Sequence, residues 1–413
     1  MKKRGKRRKR KRKKKKKSDV GVVDRISALP DEILHNIFSF IDMTTIVTTS
    51  ILSKRWRHLW TSTPYLSFNS RQLYFQSKNA DGYDYMRFKQ FVDNVFLRRE
   101  NSSIIYKFEV YLVGPLFSSC FLNTWLVKSL ESHVQIFDLE VHQYDHDEAA
   151  RLELPDCLFT SEVKTLTLDG LFVIPNTMGS AANITSLHLL AVILPDGNRN
   201  GELILSLPVL DNLKMHWCRY NHLNCLTIKC SLLKRFEMIS ASSEPFGSGI
   251  LKIHCPNLTW INLTLCLGFI FKVCCLENLS ALSNAHIAVS KEDEIHAQHL
   301  MEIIKGISNV NALTLSPPLV KCSYHSTEEV QHWEEDEFKI CRLKTVEIQN
   351  FCGIEEEFKV VELILKTAIC LKEVMIVTKE FTEEQLPEIE QKLSALPHAS
   401  SSVSIRTLRN LHL

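Results

Sequence analysis

Apolar residues recur through much of this 413-residue chain in one short template: an apolar residue, two others, an apolar residue, one other, an apolar residue. The copies are Val134-Phe137-Leu139, Val163-Leu166-Leu168, Ile184-Leu187-Leu189, Leu210-Leu213-Met215, Leu233-Phe236-Met238, Leu258-Ile261-Leu263, Val310-Leu313-Leu315, Leu343-Val346-Ile348 and Leu371-Val374-Ile376. Between the central residues 166, 187, 213, 236 and 261 the steps are 21, 26, 23 and 25, a period typical of solenoid repeats. Each x-L-x-L segment reads as a short strand that turns alternate side chains into the core, after which the chain crosses back. Stacked copies predict an α/β solenoid with a parallel sheet. An unrelated α/β domain with strands of like spacing is the alternative, and nine copies weigh against it. The stretch 279–309 carries the weakest pattern, while Leu226-Ile228 and Leu251-Ile253 predict extra strands between copies.

Different periods flank this region. In residues 24–63, Pro30 sits where a helix can spare an N–H, and Asp31 and Glu32 suit the positive end of its dipole. Ile33, Leu34, Ile37, Phe38 and Ile41 follow at helical spacing, then Ile46, Val47 and Ile51 in a second short run. Ser53 is placed to cap a third helix, on which Trp56, Leu59 and Trp60 share a face while Lys54, Arg55 and Arg57 point elsewhere. A segment of about 40 residues barely covers its own apolar surface. The surplus leaves two readings open: a docking surface for a partner, or a helical cap on the rest of the chain. Beyond it, Phe88 to Leu97 predicts a helix, Ile104 to Val113 a strand and Asn123 to Ser132 another helix. Near the end, Leu343–Ile348 and Leu371–Val377 read as strands around a helix over Glu355–Ile369, whose face is Phe358, Val361, Leu365 and Ile369. Gly353 allows the turn, and such a crossover makes the two strands parallel. A helix over Glu383–Leu396, with Pro387 near its start, and a strand at Ser402–Ile405 close the chain.

Composition changes this picture mainly at the N-terminus. Hydrophobic content of 45% and charged content of 23% are those of an ordinary globular chain. The net charge of +3 averages two unlike regions. Residues 2–17 hold 15 Lys or Arg and no acid, so outside them 35 basic residues face 47 acidic ones, a net of −12. The body is therefore a poor nucleic-acid binder. The basic run 1–18 is too charged to fold and predicts disorder. With Lys2, Lys3, Arg4, Arg7, Arg8, Arg10 and Arg12 it reads as a nuclear or nucleolar localisation signal, or as a nonspecific RNA-binding arm. A merely solvated extension is the plain alternative.

Thirteen cysteines, odd in number and without a CxxC, fit reduced thiols rather than a disulfide framework. No apolar segment of a secretory leader follows the basic start. Leu258–Leu276 is long and apolar enough to resemble a membrane span, but Asn262 and Lys272 interrupt it and its start fits the repeat. Phosphate-binding loops, dinucleotide fingerprints, nucleophile elbows and zinc-protease motifs are missing from the sequence. His142 and His146, with Asp145 and Asp147, have metal-binding spacing only on a helix, and the segment reads as a polar loop. The acidic run Glu334–Glu337 after Trp333 reads as a solvated loop. No catalytic residue, metal or cofactor is expected.

Leu29-Pro30-Asp31-Glu32-Ile33-Leu34, Ile37-Phe38-Ser39-Phe40 and Ser50-Ile51-Leu52-Ser53-Lys54-Arg55-Trp56-Arg57-His58-Leu59-Trp60 resemble an F-box of the plant leucine-rich-repeat type. Met43-Thr44-Thr45 departs from that family's usual Pro or charged turn. LPDCLFTSEVKTLTLDG and LPVLDNLKMHWC are similar to its repeat units, although Ser206-Leu207-Pro208 stands where a cysteine-proline pair is common. LKTVEIQNFCGIEEEFKVVELILKTAICLKEVMIV resembles the FBD domain that ends many plant F-box proteins. The resemblance implies a three-helix F-box over 24–68, connecting helices and a strand over 69–133, a leucine-rich-repeat horseshoe over 134–335 and an FBD-like α/β cap over 339–410. It also implies a non-catalytic receptor subunit of a ubiquitin ligase, which binds a Skp-family adaptor and through it a cullin–RING ligase, while the repeats hold a protein target. The adaptor-binding residues expected on this basis are Leu29, Pro30, Ile33, Leu34, Ile37, Leu52, Trp56 and Trp60. A repeat scaffold outside the ligase, or a nuclear RNA-associated protein working through its basic run, are the rival expectations. No membrane association is expected, and the location expected is nucleus and cytoplasm with a nuclear bias.

Overall fold

The structure, a computed structural model, describes residue 26 and residues 28–71, 83–100, 103–114, 119–143, 151–220, 223–240, 249–266, 271–290, 303–316, 339–378 and 385–409. The basic run 2–17, the segment with Asp145, His146 and Asp147, and the acidic run 334–337 lie outside them.

Template copies become strands of one parallel sheet. Thirteen strands lie side by side in the order in which the chain makes them, from Tyr65–Asn69, Lys107–Gly114 and Ile136–Gln143 to Thr345–Phe351, Glu373–Thr378 and Ser404–Arg409. The central template residues stand opposite one another in a single column. It runs Leu66, Phe108, Phe137, Leu166, Leu187, Leu213, Phe236, Ile261, Ala285, Leu313, Val346, Val374 and Ile405. Nearly every member is buried. A strand exposes alternate residues to opposite faces, so a period-two pattern can fill such a column while its polar partners face water. The same carbonyl position serves each strand entry: Gln135 accepts from Lys164 and Thr165, Lys164 from Thr185 and Ser186, and Thr185 from Asp211 and Asn212. The ladder continues through Asp211, Lys234, Thr259, Ser283, Asn311 and Lys344. Stacking thus satisfies the polar backbone where each return segment rejoins the sheet.

The weak stretch 279–309 contains a strand, Asn284–Ser290, on template residues Leu282, Ala285 and Ile287. An alanine at the central position hid the copy. Both predicted extra strands form, at Cys225–Ile228 and Gly249–His254, and join Glu202–Leu205 and Phe271–Glu277 in a separate four-stranded parallel sheet. The membrane-like stretch is two strands, Trp260–Cys266 in the long sheet and Phe271–Glu277 in the short one. Among the described residues no helix is long and apolar enough to cross a membrane.

The long sheet does not begin at 134. Strands Tyr65–Asn69 and Lys107–Gly114 belong to it; helix Tyr83–Arg98 connects these two, and helix Ser119–Leu130 connects the second to Ile136–Gln143. Phe88 meets Trp125 edge-on, with ring centroids 6.2 Å apart, and Phe108 meets Phe137 at 5.7 Å. Nor is the C-terminal unit a separate layer, since its three strands extend the same sheet. Gly353 takes φ +73° before helix Glu355–Thr367. The buried Glu357 carboxylate accepts the N–H groups of Cys352 and Gly353 at 2.8 and 2.7 Å and so ties the turn to the helix start. Phe358, Val361 and Leu365 are buried as the helical period requires, but Ile369 lies past the helix end and is exposed. Free thiols fill gaps in the core, and burial pushes Cys218, Cys255 and Cys274 up to about 12. They are not poised as nucleophiles.

Candidate functional site

Helix α1, Asp31–Phe38, follows the extended Pro30 and carries Asp31 and Glu32 in its first turn. Helix α2, Met43–Thr48, is capped by Asp42, whose carboxylate accepts the Thr45 N–H at 3.0 Å and the Thr45 hydroxyl at 3.0 Å. The Met43-Thr44-Thr45 departure therefore still starts a helix. A 3₁₀ turn, Thr49–Ile51, extends it. Helix α3, Trp56–Leu59, runs into a second 3₁₀ turn, Trp60–Ser62. Ser53 is not its immediate cap, but the Ser53 hydroxyl accepts the Trp56 N–H at 3.4 Å. The segments are cross-tied: Phe38 packs on Trp56 with centroids 5.8 Å apart, His35 Nε2 donates to the Leu59 carbonyl at 3.1 Å, and Arg55 pairs with Asp31. Buried Arg99, just past helix Tyr83–Arg98, donates to the Thr63 carbonyl at 2.6 Å, tying the segment to the end of that helix, and desolvation lowers its pKa to about 10.

This packing divides the apolar residues into two sets. Leu34, Phe38, Met43, Ile46, Trp56, Leu59 and Trp60 face inward and are buried. Ile33 and Ile37 are 45% and 44% exposed, Leu52 67%, Ile51 86% and Phe40 87%. Of the eight residues expected at an adaptor surface, Pro30, Ile33, Ile37 and Leu52 are exposed and Leu29 is half-buried. Leu34, Trp56 and Trp60 are buried core residues, because the inner face needs their volume. Phe40 and Ile51, not among the eight, are the most exposed large apolar residues of the segment. Ile33, Ile37 and Phe40 form an i, i+4, i+7 series separate from Leu34, Phe38 and Ile41, so α1 has more apolar arc than one core face can cover.

The second surface is the polar face of the long sheet. At its N-terminal end Glu109 stands opposite Asp138, and Glu140 opposite Asp169. Lys107 Nζ lies 2.8 Å from Glu109 and 3.9 Å from Asp138. Burial raises the Asp138 pKa, helped by Glu109, and burial with Glu140 raises that of Asp169 against the opposing pull of His142. Toward the middle the acid is matched by basic groups. Glu237 lies 3.6 Å from Lys214 Nζ and 3.4 Å from His216 Nε2, and it accepts from Asn262 Nδ2 at 3.3 Å. His216 Nε2 and Asn262 Oδ1 are buried without a well-formed hydrogen bond. Desolvation, reinforced by Lys214, lowers the His188 pKa; desolvation also lowers that of His216, against Glu237. Trp217, next in the chain, is exposed in the left-handed region at φ +53°, a costly conformation for a bulky residue.

His142 stands near the end of a strand, not on a helix. Among the described residues, Glu140, His142 and Asp169 bring ligand atoms within 4.8 Å of one another. His142 Nε2 and Glu140 already satisfy each other at 2.6 Å, which leaves a hydrogen-bonded pair rather than a preformed cage.

Residues 26–68 match the family model of the F-box domain, and residues 342–376 match that of FBD. A "Putative F-box/FBD/LRR-repeat protein" of Arabidopsis thaliana is 28% identical over 303 residues, 72% of this chain and 65% of the relative. An "FBD-associated F-box protein" of the same plant is 28% identical over 71% of this chain and 67% of its own length. A "Probable FBD-associated F-box protein" is 22% identical over 93% of this chain and 99% of its own length. The chain thus spans just under two thirds of the first of these relatives. No solved structure matches it.

Proposed function

We propose that this chain, a plant F-box/FBD protein, is the non-catalytic substrate-recognition subunit of a Skp–cullin–F-box ubiquitin ligase. One observation carries the reading. A small helical segment that matches the F-box keeps Ile33, Ile37, Phe40, Ile51 and Leu52 in water although its inner face is fully packed. Large apolar side chains left outside a finished core serve an interface. In this reading they dock a Skp-family adaptor, and Leu34, Trp56 and Trp60 hold them in place.

The long sheet is taken as a leucine-rich-repeat horseshoe whose polar face holds a target protein. His188, Lys214, His216 and Trp217 are the residues assigned to that contact, because the exposed, strained Trp217 stands beside the partly exposed Lys214 and the half-buried His188 and His216. The chain's contribution to ubiquitin transfer is proximity: a held lysine meets charged ubiquitin at high effective concentration. Residues 2–17 supply nuclear targeting, which fluorescent fusions with and without them test by distribution between nucleus and cytoplasm. A recombinant Skp-family adaptor should be captured by the full chain and lost on Ile33→Asp with Leu52→Asp. Absence of capture by the intact chain would favour a repeat scaffold outside the ligase.

A further inference from the structure

The two edges of the long sheet differ. Helix α2 packs against the first strand, Tyr65–Asn69, where Leu66 and Phe68 are each 1% exposed. At the other edge, strand Ser404–Arg409 pairs with Glu373–Thr378 on its inner side, and among the described residues no strand lies on its outer side. Ile405, the last member of the central column, is only half-buried there, and Leu408 is 48% exposed. Helix Leu386–Ser394 reaches this strand from the core face, where the Thr407 hydroxyl donates to Glu390.

Register decides which backbone groups are left over. The Ser404 N–H bonds to the Lys372 carbonyl at 2.9 Å. In a parallel ladder alternate residues turn both backbone groups to the same neighbour. Ser404, Arg406 and Leu408 therefore serve the inner side, and Ile405 and Thr407 each present an N–H and a C=O outward. Natural sheet edges are blunted by proline, a bulge or a covering element. This strand has no proline, and it stays in register with its neighbour over all 6 residues. An open row of this kind is matched by one chemistry, the backbone of another extended segment.

Charge at this edge selects the occupant. Lys344 and Lys372, on the turns that enter Thr345–Phe351 and Glu373–Thr378, line an open cleft of about 380 Å³ with Ile369, Ser401 and Ser402. Neither lysine is ion-paired among the described residues. Arg406, on the edge strand itself, lies 3.3 Å from Glu373 and keeps 68% of its side chain in water. A second copy paired edge to edge would bring a second Arg406 to the same joint, and opposed like charges weaken strand pairing. An acidic segment answers both the open backbone and the two lysines.

We propose that strand Ser404–Arg409 is a β-augmentation site, which takes an extended acidic segment of a partner protein as a further strand and a carboxylate of that segment at the Lys344–Lys372 cleft. Alternate apolar side chains of the added strand cover Ile405. The contact lies apart from the exposed apolar set of the helical segment and does not rest on the receptor reading.

Panning a phage-displayed library of random peptides, about eight residues long to match a strand, against the full chain tests this when binders to a Thr407→Pro chain are depleted. Proline at 407 deletes an outward N–H and leaves the bonds to Glu373–Thr378 in place. Unchanged near-ultraviolet circular dichroism would show that this variant is folded. Enriched peptides should be net negative, with apolar or β-branched residues at alternate positions. The best of them, made synthetically, should lose roughly tenfold in affinity when one of its two alternating sets of amides is N-methylated and little when the other is; this comparison leaves the protein unaltered. Lys344→Gln with Lys372→Gln should weaken binding about fivefold and reduce its salt dependence. Peptides that bind both chains equally, that tolerate methylation of either set, or that are basic would overturn the proposal. So would an edge-to-edge dimer, seen by sedimentation and abolished by Thr407→Pro. Failure of adaptor capture with peptide binding intact would overturn only the ligase reading.

Discussion

The helical N-terminal segment and the long sheet treat apolar residues in opposite ways. The sheet puts them in columns and leaves acids, lysine, histidines and a few aromatics on its open face. The helical segment fills its core and still leaves Phe40, Ile51 and Leu52 outside. Apolar surface gains from burial whatever covers it, whereas a polar face gains only from a matched set of charges and hydrogen bonds. In the proposed function, the first region serves one constant partner, and the second discriminates among partners.

If that division is real, substitutions in the two regions should separate stability from binding. The largest effect is expected at Phe236, fully buried in the central column: Phe236→Ala should cost about 3–5 kcal/mol in denaturant unfolding. A loss under 1 kcal/mol would mean that the column is not the core. Glu357→Gln should cost about 1–3 kcal/mol, because a buried charged acceptor for the Cys352 and Gly353 N–H groups is weakened; thermal melts would register it.

A smaller effect concerns pH. His188 and His216 hold protons less readily in the folded chain than in the unfolded one, whose pKa is about 6.5. Below that pH the unfolded state takes up more protons, so these residues should lower Tm as pH falls from 7.5 to 5.5. His188→Asn with His216→Asn should flatten that slope, and an unchanged slope would remove the polar face from the account. Smallest of all, Ile51→Ala should move stability by no more than about 0.5 kcal/mol despite deleting a large apolar side chain.

Periodicity carried much of the fold into view. Residues such as Leu166, Leu187 and Leu213 align in register because equal spacing of template and strand permits it. It failed where volume was small, at Ala285, and where strands at Tyr65–Asn69 and Lys107–Gly114 joined the sheet through long helical crossovers. The helical segment was legible as three short helical patterns, but its surface was not. Helical spacing places Ile33 and Leu34 on different arcs without saying which arc meets the core. Trp56 and Trp60 were expected at the adaptor surface from the F-box resemblance, yet the inner face buries them. The acidic group on the sheet face was invisible, since Glu109, Asp138 and Asp169 lie about thirty residues apart and only strand register brings them together.

The central claim is that exposed apolar residues of the helical segment bind while its buried ones fold. Calorimetric titration of a Skp-family adaptor into the full chain, beside Leu52→Ala with Phe40→Ala and beside Leu34→Ala, tests it most directly. The account predicts that the exposed pair weakens binding at least tenfold with Tm unchanged, whereas Leu34→Ala loses about 2–5 kcal/mol of stability. Undiminished adaptor binding by the folded Leu52→Ala, Phe40→Ala chain would contradict it.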